Sequence, residues 1–140
     1  MPTKTRIFIN LPVADLERSK AFFAALGFGF DLRFTDETAA CMAVSEEIFV
    51  MLLTHEKFGQ FSPLPIADAR KTNEVLLALS YGSREDVDEV MAKALEAGAT
   101  EVRPADDLGF MYGRSFADLD GHIWEPVWLS INQMMADKAD

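Results

Sequence analysis

The chain runs through the same succession of apolar and polar positions twice. In the first pass, Ile7 to Val13 is a short β-branched and aromatic run with Pro12 near its end, the pattern of a strand leading into a turn. Asp15 is placed to cap a helix. Leu16, Phe22, Phe23 and Leu26 recur at helical spacing, Glu17 falls in the first turn, and Gly27 supplies the stop. Phe28 to Phe34, Ala39 to Val44 and Ile48 to Thr54 read as three further strands, the last two joined by the polar turn Ser45, Glu46 and Glu47. The stretch from His55 to Asn73 carries Gly59, Pro63, Pro65 and several charges without sustained periodicity, which predicts a linker with room for one helical turn.

The pattern then restarts. Val75 to Tyr81 is a strand of the same length as Ile7 to Val13, and Ser83 with Asp86 fits a capping box. Val87, Val90, Met91, Ala94 and Leu95 form one apolar helix face, which Gly98 ends as Gly27 ended the first. Thr100 to Arg103, Gly109 to Phe116 and His122 to Leu129 supply three more strands, with Asp118 to Gly121 as the turn between the last two. The segment Gln133 to Asp140 is short and charged, the composition of a frayed end.

These elements predict an α+β fold of two β-α-β-β-β units in tandem, with unit one at 5–54, the linker at 55–74 and unit two at 75–130, all within a single domain over 1–140. Either unit alone would leave a strand edge and an apolar face uncovered, so pairing is expected. Strands curling into a half-open sheet with the helices outside would leave a concave inner surface, a cup suited to a ligand.

A length of 140 residues is enough to bury roughly 70% of the unfolded surface. With 11 Phe and 7 Met the chain is globular in composition. The net charge of -10 argues against nucleic acid and anionic membranes as partners. The longest apolar runs, such as Ile48 to Leu53, are too short to span a bilayer and no secretory stretch opens the chain, so a cytoplasmic location is expected. The single cysteine, Cys41, permits no intrachain disulfide and reads as a packing residue.

Two segments carry a resemblance. Asn10-Leu11-Pro12-Val13-Ala14-Asp15-Leu16-Glu17-Arg18-Ser19, before a helix ending in Leu26-Gly27-Phe28, and Asp118-Leu119-Asp120-Gly121-His122-Ile123-Trp124-Glu125 resemble the opening and closing signatures of the vicinal oxygen chelate superfamily. The nearest flavour is the predicted lactoylglutathione lyase group. The resemblance implies the glyoxalase/bleomycin-resistance fold, a small-molecule ligand and a homodimer with sites built across the interface. In metal-dependent members four inward His, Gln or Glu side chains, from the first and last strand of each unit, hold a divalent ion. Those places correspond here to Phe8, Met51, Leu76 and Glu125. Phe and Leu have no donor atom and a Met thioether suits soft metals, so no metal ligand set and no cofactor are expected, only Glu125 matching. A divalent metal would need other residues. A shift of two positions would bring in Asn10, a weak oxygen donor.

Glu125, set among Phe8, Met51 and Leu76, would be a carboxylate in apolar surroundings and a candidate general base or ligand anchor; the alternative is a structural Glu salt-bridged to a neighbour such as Arg114. Tyr112 and Arg114 share a face of their strand and are candidates to hold a ligand carboxylate or carbonyl. His55 and His122 have no metal-site spacing, and Trp124 is expected to pack against a helix. Two functions compete. One is a metal-free protein binding a small, partly aromatic molecule in a cup lined by Phe8, Asn10, Met51 and Leu76, as in bleomycin-resistance proteins. The other is a glyoxalase-like lyase or isomerase, metal-dependent or using Glu125 as base with Tyr112 or Arg114 as electrophilic partner.

Overall fold

The computed structural model describes residues 4–130 and residue 132, so the expected frayed end at 133–140 lies outside the described residues. The chain forms two compact units, Met1–Asp68 and Ala69–Asp140, and each is described by itself.

Unit one opens with β1 (Ile7–Val13) and α1 (Leu16–Ala25). The Asp15 carboxylate accepts the Arg18 backbone N–H at 3.1 Å, satisfying one of the free donors at the helix start. Gly27, at φ 104°, turns the chain out of the helix. There follow β2 (Gly29–Phe30), β3 (Ala39–Ala43), β4 (Ile48–Thr54) and α2 (His55–Phe61). The sheet order is β1-β4-β3-β2, with β1 parallel to β4 and the other pairs antiparallel.

One expectation for this unit is corrected. Phe28 to Phe34 is not one strand: β2 ends at Phe30 and a single 3-10 turn occupies Leu32–Phe34. Asp31 is the cause. Its carboxylate accepts the Arg33 backbone N–H at 3.1 Å and its carbonyl accepts that of Phe34, so local bonds replace the ladder. The segment read as a linker, in turn, begins with the two-turn helix α2, capped by the Thr54 hydroxyl at the Lys57 N–H.

Unit two repeats the topology with β5 (Leu76–Ser80), α3 (Arg84–Glu96), β6 (Thr100–Asp107), β7 (Met111–Ala117) and β8 (Ile123–Leu129), in the order β5-β8-β7-β6. Ser83 accepts the Asp86 N–H at 3.0 Å as the cap of α3. β6 runs past the expected stop at Arg103 through Pro104. Among the described residues it pairs only with β7, so the missing proline N–H costs no ladder bond, and register shifts flank Arg103.

Strand alternation then divides each sheet into two faces. In unit one Leu11, Val13, Ala40, Met42, Val50 and Leu52 are buried together with Leu16, Phe22 and Phe23 of α1. In unit two Phe116 and Trp124 are buried with Val87, Val90, Met91 and Ala94 of α3, as expected for Trp124. The opposite face of each sheet carries Phe8, Asn10, Phe49 and Met51 in unit one, and Leu76, Ala78, Ile123 and Glu125 in unit two.

Gly27 and Gly121 both take positive φ, but an added Cβ at Gly27 meets nothing within 4 Å, whereas at Gly121 it would lie 2.8 Å from Arg70 Cγ and 3.0 Å from the Arg70 backbone nitrogen. Gly27→Ala should therefore cost about 1 kcal/mol from backbone strain alone, and Gly121→Ala about 2–3 kcal/mol because the neighbouring backbone must also move. Urea unfolding midpoints of the two variants check the order.

Candidate functional site

On the open face of unit one, parallel pairing sets Phe8 beside Phe49 and Asn10 beside Met51. The Phe8 and Phe49 rings are stacked, with centroids 5.0 Å apart and planes 11° from parallel. They form one wall of a concavity of about 500 Å³ lined by Arg6, Phe8, Asp31, Arg33, Phe34, Cys41, Glu46 and Phe49. Phe8 remains 51% exposed. The Arg33 guanidinium is held in bidentate fashion by Asp31, at 3.0 and 2.8 Å, and lies over the Phe34 ring at 5.5 Å. That pairing holds the Asp31 carboxyl below its ordinary range, chiefly through the side-chain hydrogen bond from Arg33. Arg6 and Glu46 have no ion-pair partner among the described residues, and both line the concavity.

Cys41 is 1% exposed, and burial pushes its thiol upward, away from the reactive thiolate. It is a wall atom rather than a nucleophile. His55 is the first residue of α2 and is exposed.

In unit two Leu76 and Glu125 share the open face, Leu76 pairing with Ile123 and Ala78 with Glu125. Leu76 is 54% exposed. Glu125 does not stand in the apolar surroundings expected of it. Its Oε2 accepts from Arg103 Nη2 at 2.8 Å, and Arg103 is also paired with Asp106. The structural partner anticipated for it, Arg114, is elsewhere.

Tyr112 and Arg114 require a correction as well. They stand on the helix side of β7, opposite Glu125, because Tyr112 pairs with Trp128 and shares its face with Phe116. The Tyr112 hydroxyl donates to Asp88 Oδ1 of α3 at 2.6 Å, and Arg114 donates to Asp88 at 3.1 Å and to Glu101 at 2.9 Å. The Tyr112 hydrogen bond is the main reason Asp88 titrates below its ordinary range, and the Tyr112 phenol is raised in turn. These two side chains thus tie the helix to the sheet and do not share a site with Glu125. Arg84 reinforces the tie. It holds Asp107 at 2.8 and 2.9 Å, keeping that carboxyl down at about 2, and lies 5.2 Å from both the Tyr112 and Trp128 rings.

The four positions that would hold a divalent ion in metal-dependent relatives do not fit one. Phe8 and Leu76 present no donor, Met51 presents a thioether, and the carboxylate of Glu125 is already claimed by a guanidinium. Among the described residues no cluster of three or more His, Cys, Asp or Glu is arranged to hold a metal.

Sequence reasoning did not find Phe49, Arg33 or Arg103. Phe49 was readable only once the parallel register was known, since a slip of one residue would send it to the helix side. Arg103 was hidden because the strand was taken to end there.

The folded class is a duplicated β-α-β-β-β protein with one helix-covered and one open face per sheet. Residues 5–45 match the family described as Bleomycin resistance protein-like N-terminal. Among solved structures, the hypothetical protein SA1046 from S. aureus is similar at 28% identity, with 91% of this chain and 95% of that chain covered and a TM-score of 0.77. A glyoxalase-related enzyme from Fulvimarina pelagi is similar at 22% identity, over 90% of this chain and 88% of that chain, with a TM-score of 0.76. A glyoxalase/bleomycin resistance protein/dioxygenase family enzyme from Burkholderia phytofirmans PsJN shares the fold at 18% identity, over 87% and 96% of the two chains, with a TM-score of 0.72. No protein of curated function matches the chain. The chain thus has the fold of the glyoxalase/bleomycin resistance structures, and its first strand and helix match the bleomycin resistance protein-like model.

A buried carboxylate in the closing signature has a structural duty. Asp118 is 7% exposed and accepts the Trp124 indole N–H at 2.9 Å, together with the backbone N–H groups of Asp120 and His122 at 2.9 and 3.0 Å. Burial pushes its pKa up despite these donors. A raised folded pKa means the native state holds its proton more tightly than the unfolded chain, so this group favours folding below the unfolded value of about 3.9 and loses that contribution as pH rises through the folded pKa. Asp118→Asn removes the dependence. From about pH 4 upward, the parent's unfolding free energy should fall relative to the variant's. Urea titrations of both proteins across that range measure it, and a difference independent of pH would refute the assignment.

Proposed function

We propose that the chain binds a small, partly aromatic organic molecule on the open face of unit one, without a metal ion. The stacked and half-exposed Phe8–Phe49 pair in the wall of the concavity carries this reading. An apolar ring face left to water is stabilised by a planar ligand that covers it, at roughly 25 cal/mol per Å² of apolar area removed from solvent. Arg6 and Glu46, unpaired at the same concavity, supply polar contacts of either sign to orient the ligand. Asn10 and Met51 extend the face beside the aromatic pair.

The similarity to glyoxalase and bleomycin-resistance structures supports a binding role at the level of the family, and the absence of a donor atom at Phe8 and Leu76, with only a soft thioether at Met51, favours the metal-free version. A lyase or isomerase using Glu125 as base has less behind it: Arg103 holds that carboxylate, and Tyr112 and Arg114 are engaged by Asp88 on the other face. A homodimer in the cytoplasm belongs to the same reading. The exposed apolar side chains Phe8, Phe34 and Leu76 favour association, and among the described residues no helix is long and apolar enough to cross a membrane.

The test is a thermal-shift series with nickel, zinc, magnesium and manganese, followed by a panel of planar aromatic amines and acids. The metals should leave the midpoint unchanged, and at least one aromatic compound should raise it in the parent but not in Phe49→Ala, whose affinity should drop about tenfold or more. A clear shift with a stoichiometric metal would overturn the metal-free reading, and aromatic binding insensitive to Phe49→Ala would move the site.

A further inference from the structure

On the open face of unit two, Arg103 of β6 is the register partner of Ser115 of β7. The pairs Gly113↔Val127 and Phe116↔Trp124, on either side, set Ser115 beside Glu125 of β8. Arg103, Ser115 and Glu125 therefore form a row across three strands. Neighbouring strands lie about 4.8 Å apart, so the Arg103 side chain must reach over Ser115 to place its guanidinium 2.8 Å from the Glu125 carboxylate. Ser115 is 0% exposed, and its Oγ is buried with no hydrogen-bond partner. A hydroxyl capable of both donating and accepting is thus left unused in direct line with a carboxylate.

We propose that Arg103 is a displaceable occupant of a cation site made by Glu125 and Ser115, and that the site takes small organic cations carrying planar N–H donors, the guanidinium and amidinium class. The chemistry is that of the group already seated there: one N–H meets a Glu125 oxygen, and a second reaches the Ser115 Oγ that Arg103 leaves unpartnered. Displacement is cheap on the protein's side. Arg103 is about half exposed, sits on the edge strand between two register shifts, and keeps Asp106 as an acceptor after leaving Glu125. The exchange replaces one ion pair by another, so Glu125 is never left unpaired, and it adds the hydrogen bond to Ser115. The acidic balance of the chain, at -10, attracts such ligands from a distance. This site lies in unit two and does not depend on the aromatic site of unit one.

Ethylguanidinium, which has no ring to stack on Phe8 and Phe49, tests the proposal by NMR titration of the full chain. Saturable binding to the parent is expected, about tenfold tighter in Arg103→Ala because the internal competitor is gone, weakened several-fold when Ser115→Ala is added, and lost when Glu125→Gln is added. Arg103→Gln, which keeps most of the covering side chain, serves as a second variant, and circular dichroism confirms that each protein is folded. Equal affinity in the parent and both Arg103 variants would overturn the displacement. No saturable binding to either Arg103 variant, or binding that survives Glu125→Gln, would overturn the site. Phe49→Ala should leave the titration unchanged, so failure here and failure of the aromatic site are separate results.

Discussion

The parallel pairing of the first and last strand in each unit is the constraint on which the rest depends. β1 lies against β4 and β5 against β8, with the intervening helix laid over one side of the sheet. Side chains alternate strictly along a strand, so this single register decides every membership of the two faces. Leu11 and Leu52 go to the helix, and Phe8 and Phe49 go to the open side. Moving β4 by one residue would bury Phe49 and Met51 against α1 and expose Val50 and Leu52. The buried aliphatic set forbids that exchange, because it would place core leucines in water.

Unit two shows how differently the faces of one sheet are used. On the helix side, the polar groups are consumed by structure: Asp88 receives Tyr112 and Arg114, Arg84 holds Asp107 while lying over the Tyr112 and Trp128 rings, and Asp118 gathers three donors beneath the β7–β8 turn. Among the described residues no fully buried side-chain polar atom on that side lacks a partner, and the network joins α3 to the hairpin. The open side is less complete. A carboxylate is held by an arginine from an edge strand with irregular register, and a buried hydroxyl is left over. Incomplete satisfaction on an otherwise well-paired sheet marks the place where a partner from outside has something to gain.

The fold and the chemistry of the open face rest on different side chains. The fold needs alternating apolar residues on the helix side, caps at Asp15 and Ser83, and turns at Gly27 and Gly121. The open side is under no such demand. Phe8 and Leu76 can therefore stand exposed on it as an apolar surface without disturbing the core. The stacked Phe8–Phe49 pair is the outcome of two open-side positions meeting across the parallel register.

Periodicity alone determined the duplicated β-α-β-β-β order, both helix caps and the helix-facing place of Trp124, since these follow from local spacing and residue type. The same reading lost the 3-10 turn at Leu32–Phe34, where the Asp31 side chain outcompeted the ladder, and the far half of β6, where an edge strand tolerated Pro104. It also put Tyr112 and Arg114 with Glu125. Only the tertiary structure could separate them, by packing α3 on one side of β7, and only it could bring Arg103 across Ser115 to Glu125 or Phe49 to Phe8. Those pairings join residues distant along the chain, and their geometry is set by strand register and helix placement, quantities to which no single stretch of sequence gives access.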